Sequence, residues 1–297
     1  MFKMLSLALR MREKDLLTDW EVFYSKNDGY FTNYSWYHLM WLAIMIGLCV
    51  FFALKFAKKH DKKTDDYVIF GFGLFLVLIE TYKQIFYTLD AGHYQWYAFP
   101  FQFCSVPMFV AFVAPLIKKE SIKEALYKFL AFYGLTAGLA VMLYPDSCFH
   151  THYLTILIHT MCWHVSMVVM GIYLIVSKEY CKSIKNIMRE VGPGSITLAA
   201  IILIAIISNI VAYKLYFGTD KNVYNDTFFL MYISPYYSCP LPILSTIKEQ
   251  VPYIVFLLCY IVAFMLGISI LWLSVYGIKK LTNALKNIFN KKETKNE

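Results

Sequence analysis

A cysteine, an amide and a hydroxyl group stand between two prolines at the start of one apolar run. The run begins FPFQFCSVP, residues 99–107, and its polar side chains are Gln102, Cys104 and Ser105. A thiol becomes a nucleophile when a nearby base or cation favours its thiolate form. Gln102 and Ser105 can donate hydrogen bonds to an oxyanion, and the prolines are expected to keep the helix start irregular, with exposed backbone amides. The stretch predicts an acyl-transfer site; the alternative is that Cys104 is a small buried hydrophobic residue.

Three more polar residues interrupt the apolar run at residues 67–89. Glu80 and Lys83 are three residues apart, and Glu80 and Gln84 are four apart, so all three share one face of a helix. Ionisable groups inside a membrane span are costly and mark functional sites by default. One interpretation is an internal ion pair that faces a helix bundle. The other is a substrate or proton site in which Glu80 and Lys83 orient or polarise reacting groups.

Two histidines lie in the apolar run at residues 152–177. His159 and His164 are five residues apart and therefore point about 140° apart around a helix. Histidine is the most common general base, so either one is a candidate base for Cys104; the alternative is a hydrogen-bonded core histidine. Metal binding is disfavoured because the spacing is not i, i+4 and the run has no carboxylate. The chain has no phosphate-binding or dinucleotide-binding motif either, so no cofactor is expected.

The composition indicates a membrane protein built from helices. Of the 297 residues 59% are hydrophobic and 16% are charged, whereas soluble domains carry about 25% charged residues. Seven apolar segments approach or exceed the length of about 20 residues that crosses a bilayer, and in hydrocarbon such segments must be helical. We predict an all-α, polytopic bundle of about seven spans. The segments are 37–57, 67–89, 99–117, 127–144, 152–177, 195–217 and 251–277, and the proline-broken stretch 227–247 is expected to be interfacial or re-entrant.

The distribution of lysine and arginine predicts the orientation of this bundle. These residues cluster in the first, third and fifth connections and in the C-terminal tail, and they are absent from residues 88–98 and 145–151. The positive-inside rule then places the N-terminus outside and the C-terminus in the cytoplasm, with the cell membrane as the expected location. Because the net charge of +8 lies in these connections, it does not predict a nucleic-acid partner. The expected parts are an interfacial segment at 1–36, a transmembrane domain at 37–280 and a basic tail at 281–297.

Several polar residues of different predicted spans are expected at a similar depth in the bilayer. Counting at 1.5 Å per residue, Cys104, His159, Lys83 and Gln84 fall in the outer half of the bilayer, with Glu80 and His164 deeper. Polar groups from three helices thus predict a cavity that opens toward the outer leaflet. The outer loops are expected to add four polar residues above this level: His93, Asp146, His150 and His152. Cys148 and Cys239 also fall on the outer side, where they either form a disulfide or stay free.

Several stretches resemble a known family. FPFQFCSVPMFVAFVAPL, which contains Cys104, resembles the LPLHLC-type motif of bacterial YwaF-like integral membrane proteins. Those proteins in turn resemble the vertebrate transmembrane protein 164 acyltransferases. The runs YGLTAGLAVMLYPD (133–146) and HVSMVVMGIYLIV (164–176) and the acidic Glu80 also fit the family pattern, and the resemblance covers roughly residues 65–280.

This resemblance implies a membrane-embedded acyltransferase whose partners are phospholipids or lysophospholipids. Cys104 corresponds to the cysteine nucleophile of the family. His164 corresponds best to its helix histidine by its spacing to GIY, whereas His159 has the more suitable depth. One departure is Gln102, which stands where the family motif usually has histidine and which cannot act as a base. From their positions in the sequence, the predicted substrate-binding residues are Glu80, Lys83, Gln84, Gln102 and Ser105.

Two other functions fit the same residues. A small-solute transporter or channel would use Glu80, Lys83 and the histidines as a polar pathway, and it would need polar groups in both halves of the bilayer. Few such groups are expected in the inner half. A non-catalytic membrane scaffold would keep the same residues as a sealed polar core, and changing Cys104 would then affect stability alone.

Overall fold

The computed structural model describes residues 31–57, 61–145, 149, 153–217, 230–236 and 242–293. Within these ranges the chain forms helices and no strands, as predicted for an all-α protein. The helices are α1 (Trp36–Lys55), α2 (Lys62–Ala91), α3 (Val106–Val113), α4 (Glu120–Leu143), α5 (Leu154–Ser177), α6 (Ile187–Ala212), α7 (Pro242–Gln250) and α8 (Tyr253–Glu293). Most of the expected N-terminal segment lies outside the described residues, as do Asp146, Cys148, His150, His152 and Cys239.

Six of the helices are long and apolar enough to cross a membrane, namely α1, α2, α4, α5, α6 and α8. The expected third span is shorter: its apolar helix covers only Val106–Leu116. Residues 99–105 before it form no α-helix; Pro100 lies in this stretch and lacks a backbone N–H, and Pro107 stands in the first turn of the helix that follows. At the C-terminus, α8 continues to Glu293 and so includes much of the expected tail.

The segment that contains the short α3, residues 98–120, connects the two ends of the bundle. At one end, the Gln84 side-chain amide donates to the carbonyl of Ala98, 2.6 Å away. At the other end, the Lys62 ammonium lies 3.5 Å from the Glu120 carboxylate. Residues 98–120 therefore run antiparallel to α2, and α4 begins at the end of the bundle where α2 begins. We call this end inner and the opposite end outer, following the lysine distribution.

A buried polar cluster ties α2 to α5 at the inner end. The Asp65 side chain is almost fully buried. Its carboxylate accepts hydrogen bonds from the hydroxyls of Tyr173 and Ser177 and lies 2.9 Å from the Lys178 ammonium. We call Asp65, Tyr173, Ser177 and Lys178 the inner polar cluster. The sequence analysis did not anticipate it, since few polar groups were expected in the inner half.

An apolar stretch separates this cluster from the polar residues of the outer half. The buried stripe of α2 contains Asp65, Ile69, Gly73, Leu76 and Glu80, which follow one another at helical spacing. Ile69 and Leu76 are completely buried. The two carboxylates on this face are thus separated by about four helical turns, with only apolar side chains between them.

Gly73 permits the close contact between α2 and α3. A Cβ atom at this position would lie 2.5 Å from the backbone nitrogen of Phe112, whereas a Cβ at Gly71, two residues earlier, would meet nothing within 4 Å. We expect Gly73→Ala to lower the free energy of unfolding by about 1–3 kcal/mol, because α3 must move away. Gly71→Ala, the matched control, is expected to be neutral or slightly stabilising. Unfolding of both variants in mixed micelles checks this; equal stability of the two would contradict the packing argument.

Candidate functional site

The centre of the outer half is a buried carboxylate with two partners on its own helix. Glu80 is 4% exposed. Its Oε1 lies 2.8 Å from the Lys83 ammonium and accepts a 2.6 Å hydrogen bond from the Gln84 side-chain amide. The same amide donates to the Ala98 carbonyl and so links the carboxylate to the segment before α3. The shared helical face predicted from the spacing of these residues is therefore the arrangement found.

The second carboxylate oxygen faces a histidine of α5. Glu80 Oε2 lies 3.7 Å from His159 Nε2. This distance exceeds a hydrogen bond, and neither buried atom has another hydrogen-bond partner among the described residues. The Trp163 indole stacks on the imidazole ring, with ring centroids 5.4 Å apart. His159 is thus held between a carboxylate and an aromatic ring.

The same tryptophan attaches Cys104 to α5. Trp163 Nε1 donates a 2.9 Å hydrogen bond to the backbone carbonyl of Cys104. The side chain of Cys104 is half-buried, and that of the neighbouring Ser105 is buried. Cys104 is thus linked to His159 through Trp163, which bonds the backbone of Cys104 and stacks on the His159 ring. Below, the outer polar cluster means the following residues: Glu80, Lys83, Gln84, Cys104, His159 and His164.

His164 occupies the deeper part of this cluster in a fixed tautomer. Its Nδ1 lies 2.7 Å from the backbone carbonyl of Thr160. A carbonyl can only accept, so Nδ1 carries the proton and Nε2 of the neutral ring keeps the lone pair. The His164 backbone packs closely on α4, because a Cβ at Gly138 would lie 3.0 Å from the His164 carbonyl oxygen.

The irregular stretch before α3 differs from expectation in one respect. The backbone amides of Ser105 and Val106 both donate to the carbonyl of Gln102, at 2.9 and 3.1 Å. The prediction that the prolines leave amides exposed here is wrong for these two groups, because the chain makes a tight turn that uses them. Side-chain donors from Gln102 and Ser105 are the remaining candidates for binding an oxyanion in this turn.

Trp163 is a member of the site that the sequence analysis missed, and Tyr94 lies in the loop that follows α2. Trp163 stands four residues after His159, and a buried indole N–H usually requires an acceptor, so its spacing was a usable signal. Tyr94 follows Gly92, whose left-handed φ of 78° ends α2. Burial and then the Glu80 charge raise the pKa of the Tyr94 phenol, which keeps it a hydrogen-bond donor. His93 is exposed and bonds within its own loop, so it does not join the cluster.

Comparison with known proteins gives one clear result. Neither the curated proteins nor the solved structures contain a match to the chain. The sequence model of the TMEM164 family, however, matches residues 33–272. This range includes every residue of the outer polar cluster, five of the six helices that are long and apolar enough to cross a membrane, and the first part of the sixth, which begins at Tyr253. The chain therefore belongs to the TMEM164 family.

Proposed function

We propose that the protein is a cell-membrane enzyme that transfers an acyl chain from a phospholipid to a lysophospholipid, with Cys104 as the nucleophile. The observation that carries this proposal is the convergence at Trp163. Its indole stacks on His159 and holds the backbone of Cys104, while Glu80 faces the other edge of the histidine. This arrangement supports the assignment of Glu80, His159 and Cys104 as acid, base and nucleophile.

The chemistry follows from these three groups. His159 removes the proton of the Cys104 thiol, and the thiolate attacks the ester carbonyl carbon of the donor lipid. The C–O ester bond breaks, and the protonated histidine returns the proton to the departing lysophospholipid hydroxyl. An acceptor hydroxyl then gives its proton to His159 and attacks the thioester, which restores the thiol. Glu80 orients His159 and stabilises its protonated form, as the acid does in other triads.

The remaining polar residues act on developing charge and on substrate position. A nearby cation favours a thiolate, and we assign this role to Lys83, whose ammonium is paired with Glu80. The side chains of Gln102 and Ser105 stand at the turn beside the nucleophile and supply donors for the oxyanion of the tetrahedral intermediate. Gln84 holds Glu80 in place through its 2.6 Å hydrogen bond. Because Gln102 cannot act as a base, we assign proton transfer to a histidine of α5.

The two histidines of α5 have different expected roles. His159 faces a carboxylate, whereas His164 donates its Nδ1 proton to its own helix. We expect His159→Ala to slow transfer by about 10²–10⁴-fold, the range for removal of a general base. His164→Ala, the matched control in the same helix, is expected to retain most of the rate of transfer when normalised to folded protein. If His164→Ala slowed transfer more than His159→Ala did, the role of general base would belong to His164.

A transport pathway is less well supported. A solute moving along α2 would pass from the outer polar cluster to the inner polar cluster. The intervening stripe offers only Ile69, Gly73 and Leu76, and backbone contact with α3 closes the space at the glycine. An apolar, closely packed layer of this kind opposes the passage of polar solutes.

A transfer assay with the full chain tests the proposed reaction. The protein is placed in nanodiscs with phosphatidylcholine that carries a fluorescent sn-2 chain and with lysophosphatidylethanolamine as the acceptor. The expected product is fluorescent phosphatidylethanolamine, which empty nanodiscs and protein treated beforehand with N-ethylmaleimide should fail to form. Folded, untreated protein that yields neither this product nor free fluorescent fatty acid would contradict the proposal.

A further inference from the structure

A second polar site lies at the inner end of the bundle, far from the outer polar cluster. A cavity of about 580 Å³ is formed where the chain leaves α5 and passes the inner part of α8. Its charged lining comprises Glu179, Lys182, Lys279 and Lys280, and apolar lining comes from Val176, Tyr276 and Ile278. The cavity therefore combines a basic rim with a hydrophobic wall.

The charge of this cavity is positive. Three lysines line it against one glutamate, and Glu179 is already paired with Lys182. A second carboxylate, Glu190, lies behind the cavity and is occupied, since its Oε2 accepts the backbone N–H of Cys181 and the indole N–H of Trp272. Burial raises the pKa of the Cys181 thiol to about 12, so this residue adds no negative charge. The lysine charges thus exceed the nearby carboxylates.

One lysine is fixed in place before any ligand arrives. The Lys279 ammonium donates to the carbonyl of Tyr180 at 2.5 Å and lies 3.4 Å from that of Ile175. An ammonium has three N–H donors, so these two contacts hold the charge at the cavity and leave one donor for an anion. Lys182 and Lys280 are exposed and can close on a ligand from the rim.

We propose that this cavity binds the phosphate group of an anionic membrane lipid, with the lysines on the phosphate and the apolar wall against the glycerol and upper acyl chain. A soluble phosphate would contact the lysines in the same way but would make no contact with the apolar wall. The position of the cavity at the inner end of two apolar helices favours a lipid, because basic pockets at this level bind anionic headgroups. The site is separate from the proposed acyl-transfer centre and does not depend on it.

Ligand-dependent unfolding of the full chain in dodecyl maltoside tests the proposal. Dioctanoyl phosphatidylglycerol is expected to raise the unfolding midpoint, whereas dioctanoyl phosphatidylcholine and sn-glycerol 1-phosphate should not. The double variant K182Q/K280Q is expected to lose at least about tenfold in apparent affinity. K118Q/K119Q, which removes the same charge from another exposed connection at the inner end, should bind as the wild type does.

A third variant changes binding in the opposite direction. Glu179→Gln removes the acidic residue of the described lining and should tighten binding of the anionic lipid by at least about twofold, because Lys182 is then released. Equal affinity of the wild type and K182Q/K280Q, or weaker binding by Glu179→Gln, would overturn the proposal. A midpoint shift of the same size with glycerol phosphate would overturn the choice of a lipid.

Discussion

Cys104→Ser is expected to lower the rate of acyl transfer by at least about 10³-fold, as loss of a nucleophile does in other covalent catalysts. The serine hydroxyl has nearly the same size as the thiol, but it is far less acidic and forms little anion beside His159. The backbone hydrogen bond from Trp163 to residue 104 does not involve the side chain, so the variant should keep its fold.

Cys162→Ser is the matched control for this prediction. Cys162 is also half-buried, but it lines an apolar groove between α1, α2 and α5 rather than the outer polar cluster. Its replacement should leave the rate of transfer within about twofold, since no reacting group contacts it. Equal losses in the two variants would indicate a general loss of packing, and full activity of Cys104→Ser would exclude the proposed nucleophile.

Removing the carboxylate of Glu80 is expected to have the largest effect on stability. Glu80→Ala should lower the free energy of unfolding by about 3–5 kcal/mol, because it leaves the Lys83 charge buried without its partner. The Gln84 amide and the His159 ring would lose their contacts with the same group. Measurement of unfolding in mixed micelles checks the loss.

Two further variants separate the buried charge from a general effect of charge removal. Glu120→Gln breaks the exposed pair with Lys62 and should cost less than about 1 kcal/mol. The double variant E80L/K83M removes both buried charges and should recover much of the stability lost in Glu80→Ala. If Glu80→Ala were no more harmful than Glu120→Gln, the Glu80–Lys83 pair would not be the buried centre of the bundle.

The positions of the helices were predictable because hydrophobic runs and lysine-rich connections carry that information locally. Predicted and observed limits of the first span agree closely, 37–57 against Trp36–Lys55. In the third span, Pro100 and Pro107 signalled irregular backbone but not where the helix resumes. α3 begins only at Val106, after a tight turn stabilised by the carbonyl of Gln102. Such a turn depends on backbone hydrogen bonds, which the pattern of hydrophobic residues in the sequence does not reveal.

The candidate site was predictable within a helix and less so between helices. Helical spacing was enough to place Lys83 and Gln84 beside Glu80. The pairing of Glu80 with His159 and the bridge from Trp163 to Cys104 depend on how α2, α5 and the α3 segment pack together. The inner polar cluster was missed for the same reason: Asp65 lies near the end of an apolar run and becomes a buried group only when α5 covers it.

Mass spectrometry of the acyl-enzyme tests the central claim most directly. The full chain in nanodiscs is incubated with donor phospholipid without an acceptor, quenched in acid and digested. The account predicts an added acyl mass on the peptide that contains Cys104, released by neutral hydroxylamine as a thioester should be, and strongly reduced in His159→Ala. An acyl group on another residue, or none on Cys104 while transfer proceeds, would contradict it.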